Sequence, residues 1–138
     1  MSKKTRPADV QRPIDQQDWV SAFFQTADQC NADLTAEWFA EDIDMRFANH
    51  PPVSSKAEAR EGLRQFMSNI SGMVHERESR VTEGNAAVQM AMVRYTLPDG
   101  REVPLPVASH LRRNGDKLID RLWIYIDLAP LFSTGVVR

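Results

Sequence analysis

The chain has 138 residues, of which 26% are charged and 42% hydrophobic, and its formal net charge at pH 7 is −2. This length suits one domain with its own core, and the charge argues against nucleic-acid binding, which usually accompanies a strong basic excess. One cysteine, Cys30, excludes an internal disulfide and fits a reducing compartment. No apolar run approaches the roughly 20 residues of a membrane span, and no signal peptide is evident. We therefore expect a cytoplasmic protein without nucleic-acid or membrane partners.

The first third of the chain predicts a tail and two helices. Residues 1–14 are polar and aperiodic, so we expect a mobile tail. Asp15 is placed to cap a first helix, and Asp28 follows at its C-terminal end, where the macrodipole disfavours an acid. Asp33 is placed to cap a short second helix over residues 34–40. The apolar stripe of the first helix is Trp19, Val20, Phe23, Phe24 and Ala27.

The middle of the chain predicts a strand, a third helix and two more strands. Alternation favours a strand over residues 43–48, with Met45 and Phe47 on one face. Ser55 and Glu58 form a capping box that opens the third helix, and Gly72 is placed to end it. Strands follow over residues 73–82 and 86–97, with His75 in phase with Met73. The predicted inner face of the second of these strands is Met90, Met92, Arg94 and Thr96.

A long hairpin closes the chain over residues 101–132. Asn114-Gly115 predicts a two-residue type I′ turn. Before it, Val107, Ser109 and Leu111 share one face; after it, the alternating face is Leu122, Ile124 and Ile126. The order of helix, helix, strand, helix and then four antiparallel strands predicts an α+β fold.

Three short segments resemble the nuclear-transport-factor-2-like superfamily, most closely its SnoaL-like group. They are Trp38-Phe39-Ala40-Glu41-Asp42, Asp116-Lys117-Leu118-Ile119 and Tyr125-Ile126-Asp127-Leu128. The resemblance covers a domain at residues 15–132, leaving a C-terminal tail at 133–138. It implies a cone, in which a curved antiparallel sheet wraps around three N-terminal helices and an apolar pocket. The superfamily includes isomerases, dehydratases, cyclases, epoxide hydrolases and non-catalytic binders, so the resemblance does not fix a reaction.

Several catalytic positions of these relatives hold unsuitable residues here. The resemblance places the base of ketosteroid isomerases at Phe47 and their hydrogen-bonding acid at Ser109. It places the acid of SnoaL-type cyclases and limonene epoxide hydrolases at Ile124. None of these side chains can replace a carboxyl group, so neither mechanism is expected.

A partial resemblance to scytalone dehydratase points to Asp28 and His75 as candidate catalytic residues. The dehydratase has an Ala-Asp pair on its first helix, matched by Ala27-Asp28, and a histidine opening its second strand, matched by His75. Hexachlorocyclohexane dehydrochlorinase pairs an aspartate and a histidine at similar spacing, and a histidine oriented by a carboxylate is a suitable base near neutral pH. The dehydratase's tyrosine and second histidine are unmatched, at Phe47 and Thr96. In the alternative interpretation, Asp28 is an exposed or capping residue and His75 a half-exposed strand residue.

The inward-facing side chains predict an apolar pocket, the usual form of a small-molecule site. It would suit a polyketide, terpenoid or aromatic metabolite. Arg94 has a second interpretation, in which it extends to solvent at the sheet edge. The predicted ligand-binding residues are Trp19, Phe23, Met45, Phe47, Phe66, Met90, Met92, Arg94, Val107, Ser109, Leu122, Ile124 and Ile126.

Two functions of different class follow. The first is a cofactor-independent lyase or isomerase, dehydratase-like, that uses Asp28 and His75. The second is a non-catalytic small-molecule-binding or accessory protein. No metal is expected, because the three histidines match no ligand spacing. A homodimer is expected through the outer sheet face, where large apolar groups would otherwise form an exposed patch: Val93, Tyr95, His110, Trp123 and Tyr125.

Overall fold

A computed structural model describes residues 18–132; the predicted tails at 1–14 and 133–138, and the cap at Asp15, lie outside that range. Three helices precede most of the sheet, which confirms the α+β class. No helix within residues 18–132 is long and apolar enough to cross a membrane. The elements are α1 (Trp19–Ala27), α2 (Ala32–Ala36), β1 (Phe39–Phe47), α3 (Lys56–Met67), β2 (Gly72–Glu83), β3 (Ala86–Thr96), β4 (Glu102–Arg113), β5 (Ile119–Ile126) and α4 (Ala129–Phe132).

Side-chain caps set where the helices begin. The carboxylate of Asp18 accepts a hydrogen bond from the backbone N–H of Ser21 at 3.2 Å and opens α1. Asn31, rather than the predicted Asp33, caps α2, so this helix begins earlier and ends before β1. Ser55 caps α3 as predicted. Gly72 does not end α3, because the helix stops at Met67 and this glycine is the first residue of β2.

The five strands form one sheet in the order β1-β5-β4-β3-β2. β1 runs parallel to β5, while the three other neighbouring pairs are antiparallel. Helix α1 lies along the inner face of β2, where the hydroxyl of Ser21 accepts a hydrogen bond from Arg77 at 3.1 Å. The helices therefore cover one face of the sheet, and the core lies between the two layers.

The turn between β4 and β5 is longer than predicted. The positive φ angle is at Lys117, 63°, and not at Asn114 and Gly115 as a type I′ turn would require. The side-chain oxygen of Asn114 accepts hydrogen bonds from the backbone N–H groups of Asp116 and Leu118. Asn114 thus organises the loop through its side chain, as asparagine commonly does in turns.

The inner face of β3 is the opposite of the one predicted. Register places Tyr95 opposite Met73 and Val93 opposite His75, so Val93 and Tyr95 point inward and are not part of the outer face. The inner positions of β3 are buried, and the positions between them are more exposed. Two of the inner residues, Ala87 and Ala91, are alanines, which leave room for the helices. The prediction followed the two methionines, whereas β3 carries Met90 and Met92 on its outer face. The residues wrongly placed inside are Met90, Met92, Arg94 and Thr96.

Candidate active site

A close contact between Asp28 and His75 forms the centre of the candidate site. Oδ1 of Asp28 lies 2.6 Å from Nδ1 of His75, and Oδ2 accepts the backbone N–H of His75 at 2.9 Å. Both side chains are largely enclosed, with exposed fractions of 21% for Asp28 and 11% for His75. One carboxyl group therefore holds both the ring and the backbone of the histidine.

The ends of two elements position this pair. Asp28 is the C-cap of α1, and its backbone N–H donates to the carbonyl of Phe24 at 2.9 Å, so its carboxylate is fixed at the end of the helix. His75 lies near the start of β2 on its inner face. The ring of Phe24 packs against the imidazole with 4.7 Å between ring centroids. The acid that the helix dipole disfavours thus has a partner on the sheet.

The contact fixes the tautomer of the histidine. A carboxylate accepts hydrogen bonds and does not donate them, so the hydrogen of the imidazole lies on Nδ1. In the neutral form of the imidazole, the other ring nitrogen, Nε2, then carries the lone pair. No residue in the described range is hydrogen-bonded to Nε2. An oriented histidine with an unoccupied Nε2 is able to take a proton from a ligand.

His75 lies on the wall of an apolar cavity between the helices and the sheet. The cavity has a volume of about 50 Å³, room for a few water molecules. Its walls come from α1, α2, α3 and all five strands. The lining residues are Phe23, Ala27, Thr35, Phe47, Leu63, Phe66, Met67, Met73, His75, Tyr95, Val107, Ser109, Leu122 and Ile124.

The structure brings about half of the predicted ligand-binding residues to this cavity. Those that line it are Phe23, Phe47, Phe66, Val107, Ser109, Leu122 and Ile124. The register of β4 and β5 explains the last four, because three cross-strand pairs point to the inner face of the sheet. These pairs are Val107 with Ile126, Ser109 with Ile124, and Leu111 with Leu122.

Six predicted ligand-binding residues lie elsewhere. Trp19 is buried near the start of α1 beneath the guanidinium of Arg113, 4.6 Å from the ring centroid. Met45 is buried toward α3, and Ile126 borders a separate hollow beside α4. The reversed face of β3 removes the other three: Met90, Met92 and Arg94. Arg94 pairs with Glu76 at 2.8 Å on the outer face, in line with its second interpretation.

Sequence analysis missed Ala27, Thr35, Leu63, Met67, Met73 and Tyr95 as lining residues. Met73 and Tyr95 line the cavity because the antiparallel register ties the inner face of β3 to the face of β2 that carries His75. The helical residues carried no signal beyond ordinary core periodicity.

Two other ionisable groups lie close to the pair. Burial, and then the charges of Asp28 and Cys30, raise the pKa of the Tyr95 phenol well above its usual value. Burial and the charge of Asp28 likewise raise the pKa of the Cys30 thiol. Within residues 18–132, no three His, Cys, Asp or Glu side chains group closely enough to hold a metal ion.

Comparison with solved structures gives the fold a wider context. An NTF2-like protein of unknown function from Burkholderia pseudomallei is 14% identical, with a TM-score of 0.72 over 86% of this chain and 93% of that one. A candidate SnoaL-like polyketide cyclase from Shewanella denitrificans is 11% identical, with a TM-score of 0.73 over 88% and 96%. An LEH-like epoxide hydrolase from M. tuberculosis is 16% identical, with a TM-score of 0.67 over 86% of each chain. At these identities the likeness shows the fold alone, and it confirms the NTF2-like cone.

Comparison at the level of families is more specific. Curated protein sequences give no match. The family described as the SnoaL-like domain matches residues 20–121, which span α1 to the beginning of β5 and so most of the chain. This chain therefore belongs to the SnoaL-like domain family.

Proposed function

We propose that the protein is a cofactor-independent lyase or isomerase in which His75, oriented by Asp28, is the base. The observation that carries this proposal is the two-point contact between the carboxylate and the histidine on the wall of an apolar cavity. An aspartate needed only as a helix cap would not have to meet an imidazole at 2.6 Å, nor would that imidazole have to border a cavity.

The chemistry that fits is removal of a proton from carbon. Nε2 of His75 takes a proton from a carbon next to an electron-withdrawing group, and Asp28 stabilises the imidazolium that forms. In a lyase, the electron pair then expels a β-leaving group, to which His75 returns the proton. In an isomerase, the proton returns to another carbon of the same substrate. Neither the lyase reaction nor the isomerase reaction changes the oxidation level of the substrate as a whole.

The cavity favours a mostly apolar substrate, of the kind found among polyketides, terpenoids and aromatic metabolites. Its volume of about 50 Å³ is smaller than the roughly 300–1,000 Å³ of typical ligand pockets. Phe47 and Phe66 meet edge to face with ring centroids 4.9 Å apart on the cavity wall. Binding a metabolite that needs a pocket of that size therefore requires the cavity walls, which include these two rings, to move apart.

Turnover without added cofactor tests the proposal. The protein is incubated with a panel of apolar β-hydroxy ketones, and formation of the conjugated enone is followed by absorbance. We expect His75→Gln to reduce the rate by about 10²–10⁴-fold, the usual contribution of a general base. Asp28→Asn should also reduce it, because an amide cannot accept hydrogen bonds at both of the positions that the carboxylate uses.

His50 supplies the matched control. It is an exposed histidine outside the central cavity, and its Nδ1 lies 3.0 Å from the carbonyl oxygen of Phe47. His50→Gln should leave turnover unchanged. Equal rates for wild type and His75→Gln would contradict a catalytic role.

A non-catalytic binding protein is the second candidate. It is favoured by the apolar or hydroxyl side chains at Phe47, Ser109 and Ile124, where the resemblance implies carboxyl groups in related enzymes. In that case His75→Gln would change ligand affinity by no more than a few fold and no compound of the panel would be converted by wild type.

A further inference from the structure

Tyr95 is a buried residue whose hydroxyl group has no hydrogen-bond partner among the described residues. The residue is 3% exposed, and its ring packs edge to face against Phe66 with centroids 5.4 Å apart. Within residues 18–132 the side-chain atom that is fully enclosed without a partner is Trp123 Nε1, so the unpartnered hydroxyl of Tyr95 keeps some accessible surface. Because Tyr95 lines the cavity, this hydroxyl is free to form a hydrogen bond with a ligand there.

This hydroxyl belongs to the same wall as the base. Val93 is directly opposite His75 in the pairing of β2 with β3, and Tyr95 is two residues further along β3 on the same inner face. Tyr95 and His75 are thus diagonal neighbours, within reach of each other's side chains, and both line the cavity.

The phenol keeps its hydrogen at neutral pH. Burial, together with the negative charge of Asp28 and that of Cys30 once its thiol ionises, holds the pKa of the phenol far above neutrality. Tyr95 is therefore a hydrogen-bond donor in this site and not a second base.

We propose that the Tyr95 hydroxyl donates a hydrogen bond to a carbonyl oxygen of the substrate. This rests on the proposed function and narrows its substrate class to carbonyl compounds with a hydrogen on the adjacent carbon. Nε2 of His75 takes that hydrogen as a proton, the electron pair of the C–H bond becomes the C=C bond of an enolate, and the negative charge moves to the oxygen facing Tyr95.

The lyase branch then balances without a further reactant. The enolate re-forms the carbonyl, a new C=C bond forms between the α and β carbons, and the β-hydroxyl group leaves with the proton that His75 had taken. The products are an α,β-unsaturated carbonyl compound and water. The preferred substrate is accordingly a β-hydroxy carbonyl compound.

Ser109 is the competing donor. It is 1% exposed and also lines the cavity. However, Ser109 is paired with Gln89 of β3 and Ile124 of β5. The cross-strand row that contains His75 runs through Val93 and reaches β4 at Leu105, which is four residues from Ser109 along the strand. Tyr95 is nearer to the base along the sheet, so it is the better placed donor for the oxygen next to the reacting carbon.

Two small probes of matched shape test the hydrogen bond without catalysis. Cyclopentanone has a carbonyl oxygen where methylenecyclopentane has a CH₂ group. Tyr95→Phe should weaken binding of cyclopentanone about 2- to 10-fold, the range of one neutral hydrogen bond, and leave methylenecyclopentane unaffected. With the carbonyl carbon labelled with ¹³C, the downfield shift of its resonance on binding should shrink in the same variant. Ser109→Ala should keep that shift.

Controls separate packing from hydrogen bonding. Tyr125→Phe removes the same atom from the outer face, where the residue is 60% exposed, and should change neither affinity. Tyr95→Phe keeps the ring and removes an unpartnered hydroxyl, so its melting temperature should stay the same or rise. An equal loss of affinity for both probes in Tyr95→Phe, or no cyclopentanone binding by wild type, would overturn the assignment.

The base is tested separately on the same probe. In D₂O, His75 should catalyse exchange of the α-hydrogens of bound cyclopentanone, and His75→Gln should lose this exchange while keeping the ¹³C shift. A retained shift with no exchange in wild type refutes the proposed catalysis and leaves Tyr95 as a ligand-binding residue. Exchange that Tyr95→Phe does not slow refutes only the role of Tyr95.

Discussion

At the scale of single residues, Asp28 combines two tasks in one carboxyl group. It ends α1 and holds His75 of β2 by its ring and its backbone. A side chain that links a helix to a sheet in this way contributes to stability as well as to any chemistry. The two contributions can be separated, because stability is measured without a substrate.

Replacement of this carboxylate should destabilise the fold. Asp28→Ala removes two charge-assisted hydrogen bonds from a largely enclosed position, and we expect the free energy of unfolding to fall by about 1.5–3 kcal/mol. Urea titration followed by tryptophan fluorescence measures the change. Asp33→Ala is the control, because that aspartate is 72% exposed in its ion pair with Arg64, and an exposed pair contributes about 0–1 kcal/mol. A smaller loss for Asp28→Ala than for Asp33→Ala would contradict the structural role.

Cys30 gives a pH-dependent prediction next to the same carboxylate. Burial, then the charge of Asp28, raise the pKa of its thiol, and the thiolate is the reactive form. At pH 7.4, wild type should therefore react with a disulfide reagent more slowly than the chain unfolded in urea. The half-maximal rate should lie at a pH above that of an ordinary cysteine. Asp28→Asn removes the negative charge, so the rate at pH 7.4 should rise; an unchanged or lower rate would contradict the electrostatic cause.

At the scale of elements, local signals predict a helix start best where two side chains form a capping box. Ser55 is the clearest case: its hydroxyl accepts the backbone N–H of Glu58 at 3.2 Å and donates to the carboxylate of the same residue at 3.0 Å. The start of α3 was therefore predictable from the spacing of two residues. The end of α3 was not, because a serine without a positive φ angle follows the helix.

The cap of α3 should be measurable in isolation. Ser55→Ala leaves the backbone N–H of Glu58 without its side-chain acceptor, and we expect a loss of about 1 kcal/mol in the free energy of unfolding. Ser54→Ala is the matched control, because the neighbouring serine is exposed and precedes the cap. Chemical denaturation of both variants gives the difference. Equal stability of the two variants would show that the capping hydrogen bond contributes nothing.

The strands show why the site was only partly predictable. In β4 and β5, most buried positions carry large apolar side chains, and this alternation predicts which face of each strand points inward. In β3 the inner positions include Ala87 and Ala91, which fit beneath the helices, so the alternation of bulk pointed the wrong way. The face of a strand depends on the register with its neighbours, a long-range property that its own pattern does not carry. Tyr95 was missed for this reason, whereas Asp28 and His75 were found through resemblance.

At the scale of the whole molecule, the outer face of the sheet remains partly uncovered. Tyr125 is 60% exposed and Val81 is 62% exposed. The guanidinium groups of Arg46 and Arg121 lie over the ring of Trp123, at 4.1 and 4.4 Å from its centroid. Its indole Nε1 is buried without a hydrogen-bond partner among the described residues. Register aligns Val88, His110 and Trp123 in one row across β3, β4 and β5.

We propose that a second copy of the chain covers this face. A two-fold axis would place the same row on both subunits, as in an isologous interface. Light scattering after size exclusion should give twice the 15.7 kDa of one chain for wild type at micromolar concentration. Val93 and Tyr95 take no part, because both point inward.

Charge on the outer face should break the dimer without unfolding the subunit. Tyr125→Glu places a carboxylate in the centre of the proposed interface, and desolvating it on association would be strongly unfavourable. We expect this variant to sediment as a monomer with an unchanged circular dichroism spectrum. Leu34→Glu is the control, because Leu34 is an exposed apolar residue on α2, away from the sheet, and this variant should stay dimeric. A single-chain mass for wild type, or a dimer that survives Tyr125→Glu, would exclude this interface.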